Sequence, residues 1–382
     1  MTLSRRAFLT STVAASMIVG ATTRAHQATP AATSGAASRL ASMLQYVPGG
    51  KLDGELNMVW NDYVTQVAAI EQFNPEESGG ISRDELAMMS VYASVPDLAM
   101  YATMLPDLTG YAFGDIGQAL TFGAPPNTGL ILEVDTDTDA LIEFWESMGY
   151  EERENDYGSF WTIGEEAEIN ISNDIQRSLM ARVNNVAFLD DGVLAYSATS
   201  ALLGEIQAVA TGESPNVQAE FDATLASIPA ETTSTLILSG EVLALQTAWV
   251  TAMLAPEQIE MIEETIATAN ESVGAMPVTR TVCIGVTAGG SMNPKLNNPE
   301  SQEFMLLELD GADQADQAAD VIAWRAENMN SLIINTPYSE IVPDLSVEAV
   351  SGEVVQCTLP LTNPGSVFAK MVMNRDILLF AY

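Results

Sequence analysis

The sequence predicts an α+β fold made of two similar halves, each a small mixed or antiparallel sheet with helices packed on one face. Three observations predict it. Short β-prone apolar runs alternate with stretches of apolar residues at 3–4 residue spacing, the periods of strands and amphipathic helices. The Asp191-Gly192 step between Asn185–Asp190 and Val193–Tyr196 signals a tight hairpin, which argues against a doubly wound parallel sheet. Finally, the order of strands and helices in the first half returns in the second, as expected of a duplicated unit.

The elements follow in chain order. Residues 1–25 form an address rather than part of the fold. Ser4-Arg5-Arg6-Ala7-Phe8-Leu9-Thr10 resembles the twin-arginine export signal, with its final Lys replaced. An apolar run from Ala7 to Ala21 follows, shorter than the ~20 residues that a membrane span needs. Thr23-Arg24-Ala25 places small residues where a signal peptidase cuts. Residues 26–40 read as a flexible linker of small residues with Pro and Gly and no apolar period.

The first repeat is expected over residues 41–228. Leu56–Trp60 is β-prone, and Asn61 and Asp62 can cap a helix carrying Tyr63, Val67, Ile70 and Phe73. Ser82 and Glu85 form a capping-box pattern before a second helical stretch that ends at Pro96. A short helical piece is expected over 115–121. Gly129-Leu-Ile-Leu-Glu-Val-Asp135 is the next strand, and the following helix carries Leu141, Ile142, Trp145 and Met148, with Gly149 at its end. Phe160–Ile163 is a strand, the Asp191-Gly192 hairpin comes next, and helices over 200–210 and 217–227 close this half.

The second repeat is expected over residues 229–382. Ser234–Leu238 is its first strand, followed by helices around Leu243–Met253 and over 257–271. Phe304-Met-Leu-Leu-Glu-Leu-Asp310 aligns with Gly129–Asp135, Val354–Cys357 aligns with Phe160–Ile163, and Met371–Phe380 aligns with the hairpin Ala187–Tyr196.

A resemblance covers most of the body. Tyr46-Val47-Pro48, the Asn61-Asp62-Tyr63 passage, Gly114–Leu120, Gly149-Tyr150 with Tyr157–Trp161, and Phe188–Leu194 are similar to a poorly characterised group of exported bacterial proteins. The resemblance implies an exported, duplicated α+β body and carries no catalytic assignment.

Composition narrows the chemistry. There are 51 acidic residues against 14 basic ones, and the net charge is −37. Charged residues make up 17% of the chain, below the ~25% of ordinary proteins, so the imbalance comes from missing bases. Such a surface repels nucleic acid and anionic lipid, which are bound through Lys and Arg clusters. The single histidine, His26, lies next to the predicted cleavage point. A body without histidine has no Ser-His-Asp or Cys-His apparatus and no HExxH zinc site. No CxxC, P-loop, GxSxG or GxGxxG pattern occurs. A carboxylate-based hydrolase stays open, because its paired acids have no fixed spacing.

Two groups of residues are candidates for a site. Asp135, Asp137, Asp139, Glu143 and Glu146 stand at positions 1, 3, 5, 9 and 12 of a calcium-loop pattern, with Ala140 where the turn glycine belongs. The simpler reading has these acids ending a strand and capping a helix. Calcium is therefore the one cofactor with a candidate site. Cys283 and Cys357 fall on expected strands; they form either a disulfide, permitted by export and worth roughly 4 kcal/mol in the chain-entropy model, or two buried thiols.

The sequence thus leads to an exported, periplasmic or extracellular protein that engages the twin-arginine translocase through Arg5 and Arg6. Its body is expected to bind or scaffold an unknown protein or small-molecule ligand without catalysis. It is expected to bind no nucleic acid and to keep no stable membrane insertion after cleavage. The alternatives are a two-lobed solute-binding protein of a transport system and a carboxylate hydrolase.

Overall fold

The computed structural model describes residues 35–50, 57–82, 85, 103–167, 181–244, 256–290, 298–331, 334–361, 366–374 and 376–381, with a few single positions between. Residues from Gly35 onward form one compact unit. The predicted signal with Arg5 and Arg6, and most of the predicted linker, lie outside the described residues. So do the body of the helix expected after Ser82 and that expected around Leu243–Met253.

Strands in chain order are β1 (Asn57–Asp62), β2 (Ile116–Ala124), β3 (Asn127–Val134), β4 (Glu151–Asn155), β5 (Gly158–Thr162), β6 (Asn185–Asp190), β7 (Val193–Ser197), β8 (Thr232–Ser239), β9 (Thr279–Thr287), β10 (Gln302–Leu309), β11 (Ser346–Ala349) and β12 (Val354–Pro360). They form a single 12-stranded antiparallel sheet in the order β11-β12-β10-β9-β8-β1-β2-β3-β7-β6-β5-β4. The α+β class is as the sequence predicts. The strands of both halves join in this one sheet, a point the sequence leaves open, because β1 pairs with β8 from Asn57–Leu238 to Asn61–Ser234. The finer expectation is corrected in one respect: helices cover both faces rather than one.

The faces follow from strand alternation. One carries Trp60, Leu120, Phe122, Ile131, Ile237, Cys283, Phe304 and Leu306, beneath the helices Ala36–Leu44, Ser200–Ala210 and Asp222–Ser227. The other carries Leu130, Leu132 and Tyr196 beneath the helices Tyr63–Phe73 and Thr138–Ser147 in the first half. In the second half it carries Leu236, Ile284, Met305 and Cys357 beneath Pro256–Val273, Ala315–Asn328 and Val367–Met373. Trp161 and Phe188 meet edge-on, and Trp145 from Thr138–Ser147 lies tilted against both, with ring centroids 5.2–5.8 Å apart, within the range of favourable aromatic pairs.

Local chemistry explains the helix starts. Asp62 accepts from the Thr65 N–H at 2.9 Å and caps Tyr63–Phe73. Ser82 and Glu85 make the reciprocal capping-box bonds, at 3.0 and 3.2 Å. Gly192 takes a positive φ in the β6–β7 hairpin, a conformation that glycine adopts without steric cost. Both sheet edges are guarded. β4 carries Glu151, Glu152, Arg153 and Glu154, while β11 is four residues long; charge and shortness discourage further strand addition.

Three local expectations are corrected. The predicted linker ends early, since Ala36–Leu44 is helical with Ala36 and Leu40 fully buried. Residues 116–121 lie in a strand rather than a helix: Leu120 and Phe122 face one side and Ala119 the other, between β1 and β3. Met371–Phe380 is no hairpin. Val367–Met373 is a helix capped by Ser366, and Ile377 begins a turn, so the short cap overrides a β-prone run.

Candidate functional site

Charged side chains buried inside the body mark where chemistry could occur. β10 carries two, Glu303 and Glu308, in a run that is otherwise apolar. Glu308 is fully buried on the face covered by Asp222–Ser227. The Thr224 hydroxyl donates to it, and the Arg280 guanidinium pairs with it. Thr281 lies directly across on β9. Arg280 is half exposed, so it connects this buried carboxylate to the surface.

Glu303 lies on the opposite face, where it accepts from the Ser366 hydroxyl and from the N–H groups of Val367 (2.8 Å) and Phe368 (2.7 Å). It caps Val367–Met373 from outside that helix. Burial pushes its carboxyl above the usual range, while these hydrogen bonds and Lys370 pull the other way. Glu303 and Glu308 are five residues apart on one strand, about 16 Å at ~3.3 Å per residue, and they face opposite ways. A glycosidase-type pair needs carboxyls within roughly 9.5 Å on one site, so these two do not make one.

Two further buried groups stabilise the second half. Arg325 is fully buried and donates to the carbonyls of Leu378 (3.0 Å) and Ala381 (2.6 Å). Burial lowers its pKa to about 10. Asp376 accepts from Ser331 at 2.6 Å and from Tyr338 at 2.7 Å. At the β1–β8 seam, Ser234 donates to Asn61 and Thr233 to Gln66, both at 2.6 Å, and Arg39 pairs with Asp62.

The residues singled out from sequence are placed as follows. Asp137 caps Thr138–Ser147 by accepting from Asp139 N–H at 2.9 Å and Ala140 N–H at 3.1 Å. Asp135, Asp139, Glu143 and Glu146 are exposed around it. Among the described residues no three His, Cys, Asp or Glu side chains converge as metal ligands. Ala140 lies inside the helix Thr138–Ser147, at the position where a calcium loop would turn, and Asp137 is that helix's N-cap, as the simpler reading has it. Cys283 and Cys357 are free, buried thiols, which corrects the disulfide reading. Cys283 sits in register with Leu306 and Cys357 with Met305, so they point to opposite faces.

Sequence reasoning missed Glu303, Glu308 and Arg325. The signal for each was a lone charge in an apolar strand or on an apolar helix face, such as Glu308 in Phe304-Met-Leu-Leu-Glu-Leu309. Among the described residues, no helix is long and apolar enough to cross a membrane.

No family model matches the sequence, and no curated protein matches it. One solved structure, described as crystal form III of TP0453, superposes with a TM-score of 0.36 at 11% identity. The alignment covers 86% of this chain and 97% of that one; a likeness of that size does not establish a shared fold.

Proposed function

We propose that this chain is an exported, non-enzymatic protein whose body binds or scaffolds a partner outside the cytoplasm. One observation carries the reading: each buried charge described above ties one element to another. Glu303 holds a helix start, Arg325 holds the 378–381 carbonyls, Asp376 joins Ser331 to Tyr338, and Glu308 joins Thr224 to Arg280. Groups so engaged support architecture rather than turnover. Arg5 and Arg6 support export through the twin-arginine translocase. The continuous β1–β8 pairing weighs against the two-lobed solute-binding alternative, which needs a hinge between its halves.

The experiment has two arms. Arg5→Lys with Arg6→Lys is expected to hold the protein in the cytoplasm, while the wild type reaches the exported fraction. Purified exported protein is expected to retain a co-purifying ligand or partner and to hydrolyse no glycoside or ester panel. Turnover that Glu308→Gln abolishes without unfolding the protein would overturn the non-enzymatic reading.

A further inference from the structure

The strand register relates the two halves more closely than their order alone. Starting from the opposed pair Val59–Leu236 at the centre of the sheet, the row outward through the first half passes Thr121, Leu130 and Tyr196. The row outward through the second half passes Ile284, Met305 and Cys357. Both rows face the same side of the sheet. They set Leu130 against Met305, which is the match that aligning Gly129–Asp135 with Phe304–Asp310 makes from sequence alone. Two independent routes therefore reach one correspondence.

The connections agree as well. In each half the first strand precedes a helix on the same face, Tyr63–Phe73 or Pro256–Val273. In each half the third strand precedes another helix on that face, Thr138–Ser147 or Ala315–Asn328. In each half a later hairpin returns its second strand beside the third: β7 beside β3, and β12 beside β10. The counterpart of β6–β7 is thus β11–β12, which corrects the alignment of Val354–Cys357 with Phe160–Ile163, and β4–β5 is an addition to the first half.

One detail at matching positions is reversed. Phe122 on β2 lies over Gly129 on β3, and a Cβ at Gly129 would collide with that ring. On the correspondence above, Phe122 maps onto Gly285 and Gly129 onto Phe304. There Phe304 lies over Gly285, and a Cβ at Gly285 would collide with its ring. The same ring-over-glycine contact occurs on the same face at equivalent strand pairs, with the two residues exchanged.

We propose that the body is an internal duplication about a two-fold axis through the Val59–Leu236 pair, and that the β1–β8 seam is the interface at which two copies of a half-size ancestor once met. A cyclic two-fold interface brings one surface against itself. Antiparallel pairing of equivalent edge strands is that arrangement, and joining the copies in one chain closes both edges.

The test is exchange of the contact in the full chain. Phe122→Gly and Gly129→Phe are each expected to lower the melting temperature, the first by emptying the site and the second by collision. The double variant should recover more than half of the summed loss, because it installs the arrangement present at Gly285 and Phe304. Gly285→Phe with Phe304→Gly should behave likewise. The control is Ile131→Ala with Ala195→Ile, a facing pair on β3 and β7 whose counterpart, Leu306 with Gln356, is not reversed. It should recover less. If single variants fail to fold, the yield of soluble folded protein replaces the melting temperature as the readout. No recovery in either exchanged pair, or equal recovery in the control, overturns the proposal.

Discussion

Cys283 and Cys357 lie on opposite faces of one sheet, separated by β10, whose Leu306 faces with Cys283 and whose Met305 faces with Cys357. No side-chain rotation brings sulfurs on opposite faces within bonding distance. Both thiols are fully buried, and burial pushes each up to about 12. Unfolding the oxidised protein in denaturant should expose two titratable thiols. In the native state both should resist thiol reagents at neutral pH, since the thiolate is the reactive form. A melting temperature lowered by reductant would contradict this arrangement.

Asp137 supplies the helix cap that its neighbours' spacing had suggested was a metal loop. Asp137→Ala should cost about 1 kcal/mol, the usual value of an N-cap. Denaturant melts in chelator and in millimolar calcium should give the same loss. A calcium-induced rise in wild-type melting temperature, absent from the variant, would restore the metal loop.

Glu303 gives a pH dependence whose sign is fixed by its raised pKa. Folding disfavours its ionised form, so its contribution is fully present below the unfolded pKa near ~4.3 and is lost as pH rises through the higher folded value. Stability measured against Glu303→Gln isolates this group from the other carboxylates. The wild type should gain on the variant as pH falls from 7 towards 4. A constant difference across that range would show that the hydrogen bonds to Glu303 offset its burial, and a wild type that loses on the variant as pH falls would show that they outweigh it.

Arg325 anchors the last described turn by bridging two carbonyls. Arg325→Ala leaves both without their charged donor and should cost about 3 kcal/mol in urea unfolding, since hydrogen bonds to charged groups contribute ~1.5–3 kcal/mol each. Arg325→Lys should recover only part of the loss, because a point ammonium does not reproduce the guanidinium's planar fork.

The net charge of −37 predicts self-repulsion in the compact state. Raising sodium chloride from 10 mM to 1 M shortens the screening length from ~30 Å to ~3 Å. The melting temperature should rise over that range, most steeply at its low end. A flat response would mean that the exposed carboxylates are spaced too widely to interact.

The elements legible in the sequence are those whose signal is local. Asp62, Ser82 with Glu85, and Asp191-Gly192 each determine a cap or turn within four residues, and all appear where expected. Elements set by distant partners were harder to read. Residues 116–121 look helical until β1 and β3 flank them. Ala36 and Leu40 look like linker until the remote core receives them. The Met371–Phe380 run looks like a strand until Ser366 caps a helix over part of it. The buried charges follow the same logic: Glu308 is a lone acid in sequence, and its partners, Thr224 and Arg280, come from other elements.

The β1–β8 pairing also has a consequence for synthesis. β1 emerges from the ribosome early, but its second neighbour is β8, residues 232–239. Until that segment appears, the nascent chain carries β1 with one row of backbone donors and acceptors open. Chains in that state on neighbouring ribosomes present identical sticky edges to one another. The central strand of the finished protein is thus its most vulnerable strand while it is being made, and slow translation between residues 62 and 232 should increase aggregation of the nascent chain rather than improve its folding.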